Sequence, residues 1–235
     1  MDDPTSPEQF TVEHEPRWHA SLAVLAALIL YITLPPRLTI GPGWIAPLLV
    51  LALLVPLSIL APRRHEETRR MRVWSILLIA IVNFFNIASV ALLIGGFFHP
   101  ARVVELNSAG TLLRHGTQIW LTNILVFALW FWELDGDGPE ARAHASSAAE
   151  FRNTDFLFPQ MQLSLVGGKP APCIDAKWKP QFFDYLYLAF TNSTAFSPAD
   201  VMPLSRPAKL LMLVESLISL TTIAIVLSRS VSLIQ

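Results

Sequence analysis

Four stretches of this chain, Trp18 to Leu34, Trp44 to Ala61, Val73 to Phe98 and Thr117 to Trp132, contain no Asp, Glu, Lys or Arg. Crossing about 30 Å of hydrocarbon takes roughly 20 apolar residues at 1.5 Å each, so these runs are what most constrains the fold. A soluble domain breaks its apolar segments with charge at helical or strand period. The runs end at backbone punctuation instead: Pro35-Pro36, Gly41-Pro42-Gly43, Pro62 and Pro100. Tryptophans 18, 44, 74, 130 and 132 stand near their ends, as amphipathic rings do at the headgroup level. A further apolar stretch, Ala208 to Leu227, carries Lys209 and Glu215.

Composition agrees: 53% of the 235 residues are hydrophobic and 15% charged, against about 25% charged in a soluble domain. A net charge of −1 supplies no field for nucleic acid, so no nucleic-acid partner is expected. The single cysteine, Cys173, has no intrachain partner, and no Cys/His spacing suits zinc. Histidines 14, 19, 65, 99, 115 and 144 are scattered, so no metal or other cofactor is expected. No phosphate loop, Ser/His/Asp order or nucleophile elbow is present, and the reading is not an enzyme.

The expected class is all-α: a polytopic transmembrane helical bundle of five spans plus a re-entrant pore-like helix and loop, or of six spans. Residues 1–17 form an acidic tail without the basic region of a secretory signal. Residues 18–132 form a four-span region, 133–180 a solvent-side loop, and 181–235 a hairpin with an inner helix. The loop is rich in Gly, Pro and charge; Glu133, Asp135 and Asp137 read as a solvated acidic turn, since the later ligands of a calcium loop are missing. Phe156 to Phe158 are expected to pack against the membrane surface.

The functional reading rests on residues 181–232. An amphipathic aromatic piece from Gln181 to Phe190 turns polar at Thr191-Asn192-Ser193-Thr194, and polar non-helical backbone at membrane depth is tolerated only beside protein or water. Asp184-Tyr185-Leu186-Tyr187, Phe190, Thr191, Ser193-Thr194, Asp200, Pro203, Lys209, Leu213-Val214-Glu215-Ser216 and Arg229 follow in the order of a pore helix, filter, proline and inner helix. This order resembles the pore module of the potassium-channel superfamily over about a fifth of the chain. The whole chain also resembles a family of small uncharacterised bacterial membrane proteins, which implies architecture and a bacterial cytoplasmic (inner) membrane location without an activity.

A potassium filter replaces the ion's hydration shell with carbonyls from four loops, and its glycines reach conformations other residues adopt only with strain. Here Thr194-Ala195-Phe196-Ser197-Pro198 stands in that place, with one extra residue before Asp200. The resemblance therefore implies a channel-like protein without a standard potassium filter. Thr191, Asn192, Ser193, Thr194, Phe196, Ser197 and Asp200 are its filter-like residues, and Glu215, Ser216 and Ser219 the polar residues of its inner helix. One re-entrant loop per chain needs symmetry to enclose a pore, so a homotetramer in lipid passing monovalent cations is expected. A non-conducting structural or regulatory membrane protein with the same packing is the alternative; a secondary transporter is disfavoured by the lack of internal repeats.

Glu215 can instead brace the pore-like helix through Thr191 or Ser193. Asn83, Asn86 and Asn123 suit interhelical hydrogen bonds, with a water-lined path as the sharper alternative. Arg63, Arg64, Arg69, Arg70 and Arg72 place their loop in the cytoplasm by the positive-inside rule, so a re-entrant loop would enter from inside. An inverted protein, a complete fifth span over Gln181 to Pro198, or a crossing hidden in Ala101 to Gly116 would each remove that conflict.

Overall fold

The described residues are mostly helical, because Ala- and Leu-rich runs satisfy their backbone groups internally and stop where proline or glycine intervenes. The computed structural model describes residues 18–60, 69–98, 108–144, 154–161, 178–195 and 200–234. Helix α1 spans Trp18–Ile32 and α2 spans Ile45–Leu60, joined by a tight connection in which Gly41 takes a φ of 70°. Helix α3 runs through Arg69–Phe98 and α4 through Ala109–Leu134. After α4, Gly136, Asp137 and Gly138 all have positive φ, reversing the chain into α5, Pro139–His144, with proline at its first position.

Strand β1, Phe156–Leu157, pairs antiparallel with β2, Met202–Pro203. Between them lies α6, Phe182–Ala195, whose Asp184 carboxylate accepts the Gln181 N–H at 2.7 Å in the first turn. Helix α7, Arg206–Ile234, starts at Ser205, whose hydroxyl accepts the Ala208 N–H at 3.2 Å. Two helices, over Arg72–Gly96 and Arg206–Ser232, are long and apolar enough to cross a membrane; α1 and α2 are shorter apolar helices.

Helix α4 is the centre, packed by α1, α3, α6 and α7, while α2 lies outside against α3 and α1. Its Val126, Phe127, Ala128 and Phe131 have no exposed surface. Helices α4 and α7 run antiparallel, Gly116 lying against Val226 and Asn123 against Ser219. A Cβ at Gly116 would collide with the Val226 side chain, so this crossing requires glycine.

One end of the bundle gathers the end of α4 and the starts of α3, α6 and α7. There Arg72 pairs with Asp137 at 3.1 Å, Tyr185 bonds to Asp135, and the Leu204 N–H donates to the Asp155 carbonyl. At the other end Gln118, early in α4, donates to Thr33 just past α1 at 2.9 Å. Helix α6 starts at the Asp135 end and descends beside α7, so that Asn192 and Ser193 reach Glu215, about 14 Å along α7 from its start. By Met202 the chain is back at the Asp135 end, paired with Leu157. It enters and leaves on the same side.

Three expectations change. Glu133 belongs to α4 and is buried, as is Asp135; only Asp137 is exposed, so the acidic turn is not solvated and the connecting segment begins after α4 rather than at residue 133. Phe156 and Phe158 are interior, stacked edge-on against Tyr185, instead of lying on a surface. Trp132 is buried against Phe182, whereas Trp18, Trp44 and Trp74 are exposed at helix ends. Of the stretch Ala101 to Gly116, residues from 109 onward form the first turns of α4; residues 101–107 lie outside the described residues.

Candidate functional site

Residues far apart in the chain meet in one buried polar chain crossing four helices. Asn86 of α3 donates its amide to the Asn123 carbonyl oxygen at 3.1 Å. Asn123 of α4 donates to Ser219 Oγ at 3.0 Å, and Ser219 donates to Ser193 Oγ at 3.0 Å. Ser193 of α6 donates to Glu215 Oε1 at 3.0 Å, and Asn192 donates to Glu215 Oε2 at 2.7 Å. Asn123, Ser193, Glu215 and Ser219 are 0% exposed, so each link is made without competing solvent.

The donors all run toward Glu215, which suits an acceptor-only carboxylate at the chain's end. Asn192 also donates to the Met212 carbonyl at 3.0 Å, which fixes its NH2 group on the α7 side. Ser216, half-buried, reaches the Asn192 carbonyl at 3.5 Å. Asn192 and Ser193 of α6 thus clamp about two turns of α7, from Met212 to Ser219.

The other face of α6 is different. Thr191 and Thr194 spend their hydroxyls on their own helix, at Tyr187 and Phe190 carbonyls 2.9 Å away, and Thr194 is exposed together with Phe183, Tyr187 and Phe190. Asp200 is exposed at the return of the chain. Phe196 and Ser197 lie outside the described residues. The filter-like set is therefore divided: Asn192 and Ser193 face inward, Thr191 and Thr194 do not. Asn83 stands one turn from Asn86 but is not part of the chain; its carbonyl oxygen has no partner among the described residues. Beyond Asn86 lies a small cavity between α1, α2, α3 and α4, lined mainly by apolar side chains such as Ala27, Leu28, Val50 and Phe85.

A second polar cluster closes the Asp135 end. One Asp135 oxygen accepts the Thr154 hydroxyl at 2.8 Å and the N–H groups of Asp155 and Phe156 at 2.6 and 3.2 Å; the other accepts the Tyr185 hydroxyl. Arg142 donates to the Trp132 and Asp135 carbonyls and lies 5.0 Å from the Tyr185 ring centre. Asp155, beside Ser205, has its carboxyl pushed above the usual aspartate range by burial, with the Asp135 and Asp137 charges adding to the shift and the Ser205 hydrogen bond opposing it.

This hub was hidden in the sequence, where Asp-Gly-Asp-Gly reads as solvent turn. Its available signal was the pair of glycines flanking Asp137, which mark a tight reversal of the chain at the end of α4. Also unread was a stripe on α7, Leu210, Leu213, Leu217, Leu220, Leu227 and Val231, which is exposed and alternates by three and four. No protein-family model, curated protein or solved structure matches the chain.

Proposed function

We propose that this protein is an integral membrane protein of the bacterial cytoplasmic membrane with a channel-like architecture: five spans, α1, α2, α3, α4 and α7, and a re-entrant α6. The observation that carries this reading is the path of α6. It stops beside Glu215 within the bundle and is followed by a return to the end it entered. Its polar terminus meets protein, the condition under which such backbone is tolerated at depth. Exposed Trp18 and Trp74 at one end and Trp44 at the other suit two interfacial belts.

In this reading four copies associate through the exposed faces of α6 and α7, with the leucine stripe of α7 as the seam. Thr191, Thr194 and Asp200 line an axial path for monovalent cations, Asp200 drawing them to its mouth. The start of α3 and the entrance of α6 share an end, so the positive-inside rule puts the entrance in the cytoplasm. No catalysis is assigned.

The test is cation flux in liposomes of the purified chain, with oligomeric state measured in parallel. Wild type is expected to be tetrameric and to pass monovalent cations, and Asp200→Asn to lower the flux several-fold. A second reading, a non-conducting structural or regulatory protein, is favoured by one observation: Asn192, Ser193, Glu215 and Ser219 spend their polar groups inside one protomer. Absent flux from confirmed, inserted wild-type protein would select it.

A further inference from the structure

We infer that Glu215 is a reversible proton-binding site in the membrane interior, served by the Ser193 and Ser219 hydroxyls. The inference rests on the membrane placement of α7 given above, and it is independent of conduction. Its basis is a carboxyl with no exposed surface whose partners among the described residues are neutral: Asn192 and Ser193. A buried carboxylate without a cation is costly, and a carboxyl in that position escapes the cost by taking a proton.

The elements packed around it offer no counter-charge. Helix α3 presents Asn86 and α4 presents Asn123; the charged and titratable groups of α4, exposed Arg114 with His115 on one side and Glu133 on the other, lie two or more turns from Asn123. On α6, Asp184 and Tyr185 are about two turns above Asn192 and Ser193, Tyr185 being engaged by Asp135. On α7 itself the nearest charges are Lys209 and Arg229, and Lys209 is exposed. No charged group acts on Glu215 among the described residues.

A structural acid needs only one satisfied state, but this arrangement satisfies both. With Glu215 ionised, Ser219 donates to Ser193 and Ser193 donates to Glu215, as the distances of 3.0 Å allow. With a proton on Glu215 Oε1, the O–H donates to Ser193 Oγ, and Ser193 donates to Ser219 Oγ over the same distances. Ser219 is left to turn toward the Glu215 backbone carbonyl four residues earlier, the usual bond of a helical serine, where Asn123 already donates at 3.4 Å. Asn192 keeps its donors on Oε2 and Met212 throughout. The proton is bound and released by turning two hydroxyls.

Two apolar-phase measurements on the full chain in liposomes test this. Infrared spectra across the pH range should show a protonated-carboxyl C=O band that fades as pH rises, is lost in Glu215→Gln and is shifted but retained in Glu215→Asp. Ser193→Ala combined with Ser219→Ala, which removes the turning hydroxyls and leaves the acid, should move the midpoint of that fading by about one pH unit or more, equivalent to about 1.4 kcal/mol. A Glu215-dependent band that never fades, or no such band at any pH, would overturn the inference. Should Glu215→Gln fail to insert, the wild-type band and its shift in the serine double variant decide alone. Failure of the membrane reading would show separately, as protein recovered in the soluble fraction.

Discussion

Two buried carboxyls, Glu215 and Asp135, are treated in opposite ways by their surroundings. Asp135 accepts two backbone N–H groups and two hydroxyls at the bundle's end, whereas Glu215 is held by two side-chain donors within it. Asp135→Asn puts a donor where four donors converge and is expected to cost about 2–4 kcal/mol, read as a lowered midpoint in denaturant unfolding; Tyr185→Phe, which deletes one of the four, should cost about 1–2 kcal/mol. Asp155 gives the pH dependence. Its folded-state carboxyl is raised, so its stabilising contribution is complete below the ordinary aspartate range and is lost as pH rises through the raised value. Asp155→Asn should therefore melt higher than wild type at pH 7, with the difference vanishing in acid. Thermal scans at both pH values check this; an unchanged difference would remove burial and the Asp135 and Asp137 charges as its cause.

At the scale of elements, hydropathy sufficed where lipid or core demanded apolar residues all round. The expected Trp18 to Leu34 and Val73 to Phe98 spans correspond to α1, Trp18–Ile32, and α3, Arg69–Phe98. It failed for α4, read as starting at Thr117 but helical from Ala109, because Arg114 and His115 interrupt the apolar pattern without interrupting the backbone bonds. His115 and Gln118 instead bond to each other at 2.8 Å. The α4–α7 crossing was illegible for a different reason: a glycine in a helix announces a weak point, and only the partner helix shows that it is a contact. Gly116→Ala ordinarily stabilises a helix by about 0.5–1 kcal/mol. Here the collision with Val226 should reverse the sign, giving a net loss of about 1–3 kcal/mol that Val226→Ala largely restores. Single and double variants measured by thermal unfolding separate the two effects, since additivity would contradict the contact.

For the whole molecule, the polar residues could be picked out from the sequence while their grouping could not. Asn86, Asn123, Asn192, Ser193, Glu215 and Ser219 stand out as polar letters in apolar helices, but the pattern along one helix says which face is polar and not which helix it meets. The grouping required α4 to lie at the centre and α6 to turn back. That same turn decides how the chain can sit in a bilayer. The entrance of α6, the starts of α3 and α7 and the end of α4 form one end, carrying Arg72, Arg142, Lys179, Arg206 and Lys209 among the described residues, against Arg37, Arg114 and Arg229 at the other. Arg69 and Arg70, the first two residues of α3, add to the first end. In the proposed membrane reading, positive-inside bias would set this end in the cytoplasm, with α6 entering from inside. In a Cys173→Ala background, exposed Gly43→Cys should react with an impermeant maleimide in intact cells, whereas exposed Ala141→Cys should react only after the cells are opened. The reverse pattern would mean an inverted bundle whose α6 enters from outside, and Asp200 would then gather cations at the outer mouth.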